Sequence, residues 1–458
     1  MRTNSGARRR PAATRRGAGR GGRLVRQAGS VAALAAVVVG CTPPPGPGPA
    51  PESAYAPGWS AVHADNANTD YSPVEGAAGV TLAWQRNFEG SISIGPLRWT
   101  INLGPTIAPD GTVYVTSSVT GCHLQALDGA TGETLWCSPE VDLFAVVSST
   151  LIDREGRLFV ADGEAMHAFD GDGNVLWETP IVGVPLSAQF TPEGHVIFVT
   201  HIGNIQVLDR ATGEPVLPTV ELIPGATWDP ATGMMACARG TEECPSANTL
   251  AVDLETGRFF FTFWEPGAAQ AGVRAMQYRD DPEPAITDLW TNDSLPGGSA
   301  SSPVLSADGS RVYVNDNVDS VHAIDAATGE TVWDVPIGYA SGGSASLSPD
   351  GLIMPAGGGQ SPTQAVRDAG DTGELAWQED GLLNRGIATQ AAGGKAYVTV
   401  DVGQFRNDLV VLDTATGAEL DRDSLPGVTV FTVGTTIGPD GTVYVPSING
   451  GLFAFRPD

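Results

Sequence analysis

Cysteine is the residue type whose chemistry is easiest to read from this sequence of 458 residues, which contains five of them. Four lie in the body of the chain, an even number that is typical of disulfide pairing in an oxidising compartment. Cys122 and Cys137 flank a hairpin motif, and pairing of its strands would bring them opposite each other. We therefore predict the disulfides Cys122–Cys137 and Cys237–Cys244. The sequence has no CxxC, CxxCH or adjacent Cys-Cys motif, so zinc, c-type haem and redox-dithiol sites have no support.

The fifth cysteine, Cys41, follows a segment with the features of an export signal. An arginine-rich stretch leads into Ala28–Val39, which is apolar apart from Gly29 and Ser30 and is too short to span a bilayer. The residues Val38-Val39-Gly40-Cys41 resemble the lipobox of bacterial lipoproteins, in which the cysteine is diacylated and becomes the mature N-terminus. An ordinary signal peptide with an incidental cysteine is the alternative.

These features divide the chain into three predicted regions. Residues 1–40 form a lipoprotein signal peptide, 41–57 a Pro-rich tether that is extended and without a core, and 58–458 the folded domain. The predicted location is therefore extracytoplasmic, with the protein lipid-anchored to the bacterial cell membrane through Cys41. The sequence leaves open whether export uses the Sec or the twin-arginine route, and whether the inner or the outer membrane holds the anchor.

Charge is distributed unevenly along the chain. Nine of the 25 Lys and Arg residues and none of the 52 Asp and Glu residues precede Cys41, so the remainder has a net charge of −36. A surface of that sign repels phosphate backbones, and we predict no nucleic-acid partner.

Histidines at two equivalent positions are weak candidates for chemistry. His167 and His322 each lie three residues before the aspartate of a hairpin, where Gln125 and Gln206 stand in other repeats. One histidine per repeat leaves them too far apart to share a metal ion, so we predict that both pack at the edge of the core.

One acidic motif imitates a calcium loop. Asp170-x-Asp172-x-Asn174 has the spacing of the first ligands, but Val175 stands where the loop needs Gly and Ile181 where it needs the closing Glu. Turn formation is the preferred interpretation. GxSxG, HExxH and P-loop motifs are absent from the sequence, and we predict neither catalytic residues nor a metal site.

A repeated hairpin organises the rest of the chain. Ala323–Trp333 (AIDAATGETVW) and Ala126–Trp136 (ALDGATGETLW) each place a hydrophobic run before an Asp, a Thr-Gly-Glu turn, and a second run that ends in Trp. Leu217 and Leu420 replace the tryptophan in two copies, and Trp84 ends a run with no hairpin before it. The tryptophans of this motif are Trp84, Trp136, Trp177, Trp290, Trp333 and Trp377.

A second marker is a short turn before a strand such as TVYV. It occurs eight times, at residues 110–111, 155–156, 193–194, 256–257, 308–309, 350–351, 393–394 and 440–441. Four strands every forty or so residues predict an all-β, eight-bladed β-propeller of four-stranded antiparallel blades. Val433–Phe455 supplies only three strands of the last blade, so we predict that Val80–Trp84 completes it.

The hairpin motif resembles the tryptophan-docking repeat of the pyrroloquinoline-quinone (PQQ) enzyme superfamily, quinoprotein alcohol dehydrogenases and related propellers. Gly58-Trp59, Asp65, Tyr71-Ser72-Pro73 and Trp84 are similar to the N-terminal signature of its dehydrogenases, and the resemblance covers Gly58–Asp458. It implies that each tryptophan docks against the neighbouring blade. Its non-enzymatic members include the lipoprotein of the outer-membrane barrel-assembly machine.

The resemblance implies two alternative functions. One is a binding or scaffold module for a protein, peptide or glycan, with no cofactor; this is the function we predict, in a monomer. The other is a PQQ-dependent alcohol or sugar dehydrogenase, in which an arginine, a calcium ion and, in alcohol dehydrogenases, a disulfide between adjacent cysteines hold PQQ on the propeller axis. Arg98 and Arg385 lie near inner-strand entries and could reach such a cofactor, but no carboxylate matches the base.

The repeat is interrupted once, between Leu217 and Trp290, by an insertion at 218–247. It contains Trp228, Met234, Met235, Arg239 and the pair Cys237/Cys244. Strand alternation places this insertion on the same rim as the longer loops Trp264–Gly272, Pro355–Gln364 and Val400–Asp408. We predict that this rim binds the partner. The alternative for the insertion is a disulfide-stabilised loop with no binding role.

Overall fold

A computed structural model describes residues 53–94, 97–229, 234–359, 361–404, 406–429 and 431–458, all within one unit that spans Pro51–Asp458. The predicted signal peptide and Cys41 lie outside these residues. Within them, no helix has the length and apolar character needed to cross a membrane. The helical elements among them are a 3-10 helix at Leu143–Val147 and α1 (Met234–Cys237).

The strands form successive four-stranded antiparallel sheets, which we call blades. Four strands precede the first blade: β1 (Tyr71–Glu75), β2 (Val80–Asn87), β3 (Ile92–Ile94) and β4 (Leu97–Trp99). Blade 1 comprises β5 (Thr106–Ile107), β6 (Thr112–Thr116), β7 (Leu124–Asp128) and β8 (Thr134–Ser138); blade 2 comprises β9 (Leu151–Ile152), β10 (Leu158–Ala161), β11 (Ala165–Phe169) and β12 (Val175–Pro180). Blade 3 comprises β13 (Gln189–Phe190), β14 (Val196–Val199), β15 (Asn204–Leu208) and β16 (Val220–Glu221); blade 4 comprises β17 (Ala251–Val252), β18 (Arg258–Phe263), β19 (Ala271–Arg279) and β20 (Ala285–Leu295).

The second half of the chain repeats the pattern. Blade 5 comprises β21 (Val304–Leu305), β22 (Arg311–Asn315), β23 (Ser320–Asp325) and β24 (Thr331–Pro336); blade 6 comprises β25 (Ser346–Leu347), β26 (Leu352–Met354), β27 (Ser361–Asp368) and β28 (Gly373–Asn384). Blade 7 comprises β29 (Thr389–Ala392), β30 (Lys395–Asp401), β31 (Asn407–Asp413) and β32 (Glu419–Leu425); blade 8 comprises β33 (Thr436–Ile437), β34 (Val443–Pro446) and β35 (Gly451–Pro457) together with β2. Blades 6 and 7 are joined in one nine-stranded sheet, because β28 also pairs with β30 and β1 pairs parallel with β29. The other six blades are separate four-stranded sheets, and the all-β propeller prediction is confirmed.

Blade 8 closes the ring with strands from both ends of the domain. β2 pairs antiparallel with β35, from Val80 opposite Pro457 to Asn87 opposite Gly451. The N-terminal segment therefore supplies the missing fourth strand, as predicted. The pairing is longer than expected, because it continues past Trp84 to Asn87.

The tryptophans dock against the following blade. Each indole packs on the glycine of the next blade's hairpin turn; the nearest atoms of Trp290 lie 2.6 Å from where a Cβ on Gly329 would stand. The other pairs are Trp84 on Gly132, Trp136 on Gly173, Trp177 on Gly213, Trp333 on Gly373 and Trp377 on Gly417. The indole N–H also donates to an acceptor in that blade, a backbone carbonyl in five of them and Asp368 Oδ1 for Trp333. Glycine at the turn is therefore a packing requirement.

The two leucine replacements have a structural reason. Leu217 faces blade 4, whose last hairpin runs from Arg279 to Ala285 without a glycine. Leu420 precedes blade 8, where the corresponding hairpin is interrupted between the C-terminal strand and β2. There the carboxylates of Asp421 and Asp423 accept hydrogen bonds from the β2 N–H groups of Val80 and Leu82, at 2.8 and 2.9 Å. A different contact therefore joins blades 7 and 8.

The N-terminal segment 53–70 crosses one end of the propeller axis, a feature that we did not predict. Its backbone carbonyls accept N–H groups from the ends of successive inner strands: Trp59 from Ile107, Ser60 from Ile152, Asn66 from Val252, Ala67 from Leu305, Thr69 from Leu347 and Asp70 from Gln390, all at 2.7–3.0 Å. Tyr55 and Asn68 reach blade 3 through hydrogen bonds to Gln189. The segment therefore touches blades 1 to 7 and covers this end, which we call the closed face.

The predicted tether boundary is wrong for residues 53–57. Ala54 and Ala56 are buried, and the Ala54 carbonyl accepts a hydrogen bond from Arg154 N–H at 2.9 Å. The Ala56 N–H donates to the Ile152 carbonyl at 3.0 Å. The folded domain therefore includes these residues, because their backbone groups complete the inner end of blade 2.

Candidate functional site

A cavity of about 600 Å³ lies on the propeller axis at the end opposite to the closed face. Its wall comes from inner-strand entries, from the insertion and from loops between blades, and we call this end the open face. Among the described residues that line it, none is Asp or Glu. The polar and aromatic lining residues are His63, Trp99, Asn102, Arg239, Asn248, Thr249, Ser302, Ser344, Arg385, Phe431 and Thr432.

The insertion forms one wall of this cavity. The disulfide Cys237–Cys244 closes a short loop, and Cys237, Ala238 and Arg239 line the cavity. Gly240 lets the loop approach blade 5 closely, since a Cβ there would stand 1.6 Å from the Ser299 carbonyl oxygen. The Ser299 N–H donates to the Gly240 carbonyl at 3.2 Å. The insertion is therefore docked on the open face, where the sequence predicted it.

The same insertion is anchored at a second point, by Trp228. Its indole packs edge-on against Phe144 and His201, at centroid distances of 4.9 and 5.6 Å. Burial lowers the pKa of His201 to about 4. The imidazole is therefore neutral at physiological pH. It accepts a hydrogen bond from the Val184 N–H and packs against Trp228 of the insertion.

Arg385 lies in the wall formed by blades 6 and 7. It forms an ion pair with Asp401 through Nη2, and its guanidinium lies 5.5 Å from the ring centroid of Phe431. The Gly403 N–H and the Arg385 guanidinium lower the pKa of Asp401, against the effect of burial. Arg385 Nε is buried and has no hydrogen-bond partner among the described residues. A ligand in the cavity would therefore contact the exposed fifth of the Arg385 side chain and not this buried Nε.

The floor of the cavity is the His63 imidazole, which the sequence did not indicate. Its Nδ1 contacts Asp70 Oδ2 at 2.8 Å, and its Nε2 lies 3.1 Å from Ser302 Oγ and 3.3 Å from Ser344 Oγ. Burial raises the pKa of Asp70, and His63 partly offsets this effect. The two serine hydroxyls also accept hydrogen bonds from backbone N–H groups of neighbouring inner strands. The cluster thus ties the N-terminal segment to blades 5 and 6 beneath the cavity.

The predicted candidates separate into those at the cavity and those elsewhere. Arg385 and Arg239 line it, whereas Arg98 is exposed on β4 and does not. Gly357 and Gly358 of the loop at 355–364 line it as well. Trp264 packs against the insertion through a hydrogen bond from its N–H to the Pro245 carbonyl. The cavity thus combines residues from the insertion and from one of the three predicted rim loops, Pro355–Gln364, while Trp264 of a second loop supports the insertion.

The calcium-like motif forms a turn. Asp170 Oδ1 accepts hydrogen bonds from the backbone N–H groups of Asp172 and Asn174, at 3.0 and 2.9 Å, and Asn174 Nδ2 contacts both carboxylate oxygens. No cluster of His, Cys, Asp or Glu suited to holding a metal ion is present in the part of the chain that the structure describes.

His167 and His322 pair with carboxylates inside their own blades. His167 Nε2 contacts Asp162 Oδ2 at 2.8 Å. His322 contacts Asp334 through Nδ1 at 2.6 Å and Asp316 through Nε2 at 3.0 Å. Burial lowers the pKa of His322, but the hydrogen bonds to the two carboxylates outweigh it and raise the pKa overall.

This arrangement predicts a pH-dependent contribution to stability. The charged His322 stabilises the fold fully below its ordinary pKa of about 6.5, and the contribution disappears as the pH rises through the raised folded-state value. We expect His322→Gln, which copies Gln125 and Gln206, to lower the free energy of unfolding by about 2 kcal/mol near pH 5.5 and by much less near pH 9. Urea unfolding at both pH values measures this. Asp334→Asn should remove part of the same dependence, and a pH-independent His322→Gln effect would contradict the assignment.

Comparison with known proteins places the fold and the cavity in context. The family model described as outer membrane protein assembly factor BamB matches residues 120–216 and 284–457, more than half of the chain. The chain belongs to this family. It is 31% identical over 412 residues to Protein Rv3035 of Mycobacterium tuberculosis, covering 89% of this chain and 97% of that protein. It is 23% identical over 378 residues to the outer membrane protein assembly factor BamB of Burkholderia pseudomallei, covering 78% and 87%.

A solved structure extends the likeness to the quinoprotein fold. The quinohemoprotein alcohol dehydrogenase from Comamonas testosteroni superposes with a TM-score of 0.58 at 18% identity, over 87% of this chain and 80% of that chain. Identity at this level shows a shared fold. Membership of the PQQ-like propeller superfamily, which the hairpin motif predicted, is confirmed by the family match, and the superposition agrees with it in fold.

The lining of the axial cavity does not fit PQQ with calcium. Calcium takes six to eight oxygen ligands, carboxylates prominent among them, and the described lining has no Asp or Glu. Those described lining residues likewise include no carboxylate that could act as a base. The disulfide at the cavity joins Cys237 to Cys244, seven residues apart, and so is not one between adjacent cysteines. The dehydrogenase alternative therefore has no matching residue set at this site.

Both predicted disulfides, Cys122–Cys137 and Cys237–Cys244, are present in the structure. Disulfides form and persist mainly in oxidising compartments. This pairing supports folding outside the cytoplasm.

Proposed function

We propose that this chain is an exported, membrane-anchored lipoprotein whose propeller binds a partner at its open face. The observation that carries the proposal is the difference between the two ends of the axis. Segment 53–70 covers one end through backbone hydrogen bonds to six blades and side-chain hydrogen bonds to blade 3, whereas the other end opens into a cavity rimmed by loops and by the insertion. Binding residues are commonly placed on loops that a rigid scaffold positions.

The first described residues also lie at the closed face. Ala54 lies beside blade 2 at Arg154, next to the 155–156 turn. These residues therefore leave the open face uncovered, which supports the open face as the binding surface.

The partner class follows from the rim and from the relatives. Val182, Val318 and Phe431 are exposed apolar side chains on open-face loops, with 46–53% of their surface accessible. Family members are described as outer membrane protein assembly factors, a role that involves other proteins. We therefore propose a protein or peptide as the macromolecular partner, bound by a single propeller.

Anchoring is tested by Cys41→Ser in the full-length chain. Serine cannot be acylated as the cysteine thiol is, so a mature protein cleaved at another site would carry no lipid anchor. Most of the protein should therefore be released from membranes. Fractionation followed by immunoblotting measures the distribution. Cys122→Ser is the control for loss of a cysteine, and it should stay with the membrane. Equal membrane association of the Cys41→Ser and wild-type proteins would refute lipidation at this residue.

Binding at the open face is tested by site-specific photo-cross-linking in the native host. A photoreactive residue replaces either Val318 on the open face or Leu289 on the outer strand of blade 4, which are 51% and 42% exposed. We expect one discrete cross-linked protein from position 318 and none from position 289. Cross-linking from position 289 alone would place the partner on the perimeter and refute the proposal.

A further inference from the structure

We propose that the axial cavity binds a sugar that carries an anionic group, either a carboxylate or a phosphate. This inference rests on the proposed binding function and names a ligand for the cavity within the open face. It is carried by three properties of the lining: its charge, its aromatic rings and its unused hydrogen-bonding groups.

The charge of the cavity is opposite to that of the domain. The chain after Cys41 has a net charge of −36, yet the described lining contains Arg239 and Arg385 and no carboxylate. Arg239 is exposed to solvent, and no side-chain partner of its guanidinium is present among the described residues. Arg385 is paired with Asp401 through Nη2, and 20% of its side chain is exposed. Guanidinium groups bind carboxylate and phosphate through paired N–H donors.

Two aromatic rings border the same cavity. Trp99 and Phe431 both line it, and Ile448 connects their segments: the Thr100 N–H donates to the Ile448 carbonyl at 2.8 Å, and the Ile448 N–H donates to the Phe431 carbonyl at 3.2 Å. Phe431 is 46% exposed although Arg385 lies against its ring. Rigid aromatic faces pack well against the C–H face of a pyranose, at a low entropic cost.

The amide side chains provide both a donor and an acceptor. Asn102 Oδ1 accepts the Trp99 indole N–H at 2.6 Å, which leaves the Asn102 amino group available. The Asn248 amino group donates to Thr262 Oγ1 and to the Ser299 carbonyl, which leaves Asn248 Oδ1 available. A sugar hydroxyl donates and accepts, so this pair suits vicinal hydroxyl groups. A volume of about 600 Å³ lies within the range of small-molecule sites.

The test is calorimetric titration of the full-length protein, purified in detergent from its host, with glucuronate, glucose 6-phosphate and glucose. We expect at least one anionic sugar to bind at least 10-fold more tightly than glucose, with the preferred one identifying the anionic group. Arg239→Gln, at an exposed position, should weaken that binding about 10- to 100-fold, the effect of removing a charge-assisted hydrogen bond.

Control variants separate binding from folding. Arg385→Gln combined with Asp401→Asn removes the charge and keeps hydrogen-bonding groups, and it should weaken binding to a similar degree. Arg367→Gln, which removes a cation paired with Asp350 away from the cavity, should leave the dissociation constant unchanged. Equal binding of glucose and both anionic sugars, or no binding of any of them at millimolar concentration, overturns this inference. Cross-linking from position 318 would still stand in that case, so the two proposals fail independently.

Discussion

Deletion of Asn449–Asp458 is expected to unfold the whole propeller. β35 lies between β34 and β2, and its side chains Leu452, Phe453 and Phe455 are fully buried. Burying a side chain of this size contributes roughly 1.5–3 kcal/mol, so these three alone amount to a large part of the 5–15 kcal/mol by which a domain is stable. The deletion also removes every pairing of β2, which opens the ring.

Urea unfolding followed by near-ultraviolet circular dichroism, together with limited proteolysis, measures this effect. We expect no cooperative transition in the truncated protein and rapid cleavage throughout the domain. Arg456→Gln is the control, because this side chain lies exposed at the end of the same strand and reaches only the Ala130 carbonyl. A truncated protein with a wild-type transition would show that the N-terminal strand does not close the ring.

Trp333→Ala is expected to lower the free energy of unfolding by about 3–5 kcal/mol, the usual cost of truncating a buried aromatic residue. Trp333 is 7% exposed, packs at 5.9 Å from the Tyr313 ring and donates to Asp368 of blade 6 at 3.2 Å. Chemical denaturation of the purified variant measures the loss. Leu420→Ala is the matched control at the equivalent strand position, where 43% of the leucine is exposed, and it should cost less than 1 kcal/mol.

A second substitution tests whether the docking partner is the turn glycine. A Cβ on Gly373 would stand 2.6 Å from the Trp333 ring, so Gly373→Ala should destabilise the wild-type protein by about 1–3 kcal/mol through overpacking. In the Trp333→Ala background the same change should cost less, because the ring is gone and only Val335 Cγ2, also 2.6 Å from that position, still opposes the added methyl group. Additive losses in the double variant would contradict the proposed docking contact.

The fold was accessible from the sequence because its signals repeat. Each hairpin couples an aspartate that bonds the turn, a glycine and a tryptophan, and the turn at 110–111 shows how the second marker works. Gly111 has φ of 88° and Asp110 accepts the Thr112 N–H at 2.9 Å. The hairpin and the short turn each occur once per blade, so they predict the same number of blades. That number leaves the last blade one strand short, which predicts that the N-terminal strand completes it.

The closed face could not be predicted, because backbone groups make most of its contacts. The carbonyls of Trp59, Asn66 and Thr69 bond to inner strands, and a carbonyl is the same in every residue. The segment occurs once in the chain, so it produces no repeated sequence pattern from which it could be recognised. Asn68 is fully buried and adopts a left-handed conformation with φ of 59°. Asparagine tolerates this conformation better than most residues, but the sequence alone does not predict it.

The cavity was predicted in part. Arg239 is a predicted candidate because it belongs to the insertion that interrupts the repeat. Arg385 is one because it lies near an inner-strand entry. His63, Asp401 and Phe431 were missed, since their roles depend on contacts between segments that are far apart in the chain: His63 meets Ser302 across 239 residues. Spacing within a motif carries no information about such pairs.

A density map of the full-length protein, purified from its own host with its partner bound, tests the central claim most directly. We predict partner density on the open face, in contact with the rim around Val318 and Phe431. On the closed face we predict no partner density beyond segment 53–70. A partner bound along the outer strands or against segment 53–70, with only solvent over the axial cavity, would contradict it.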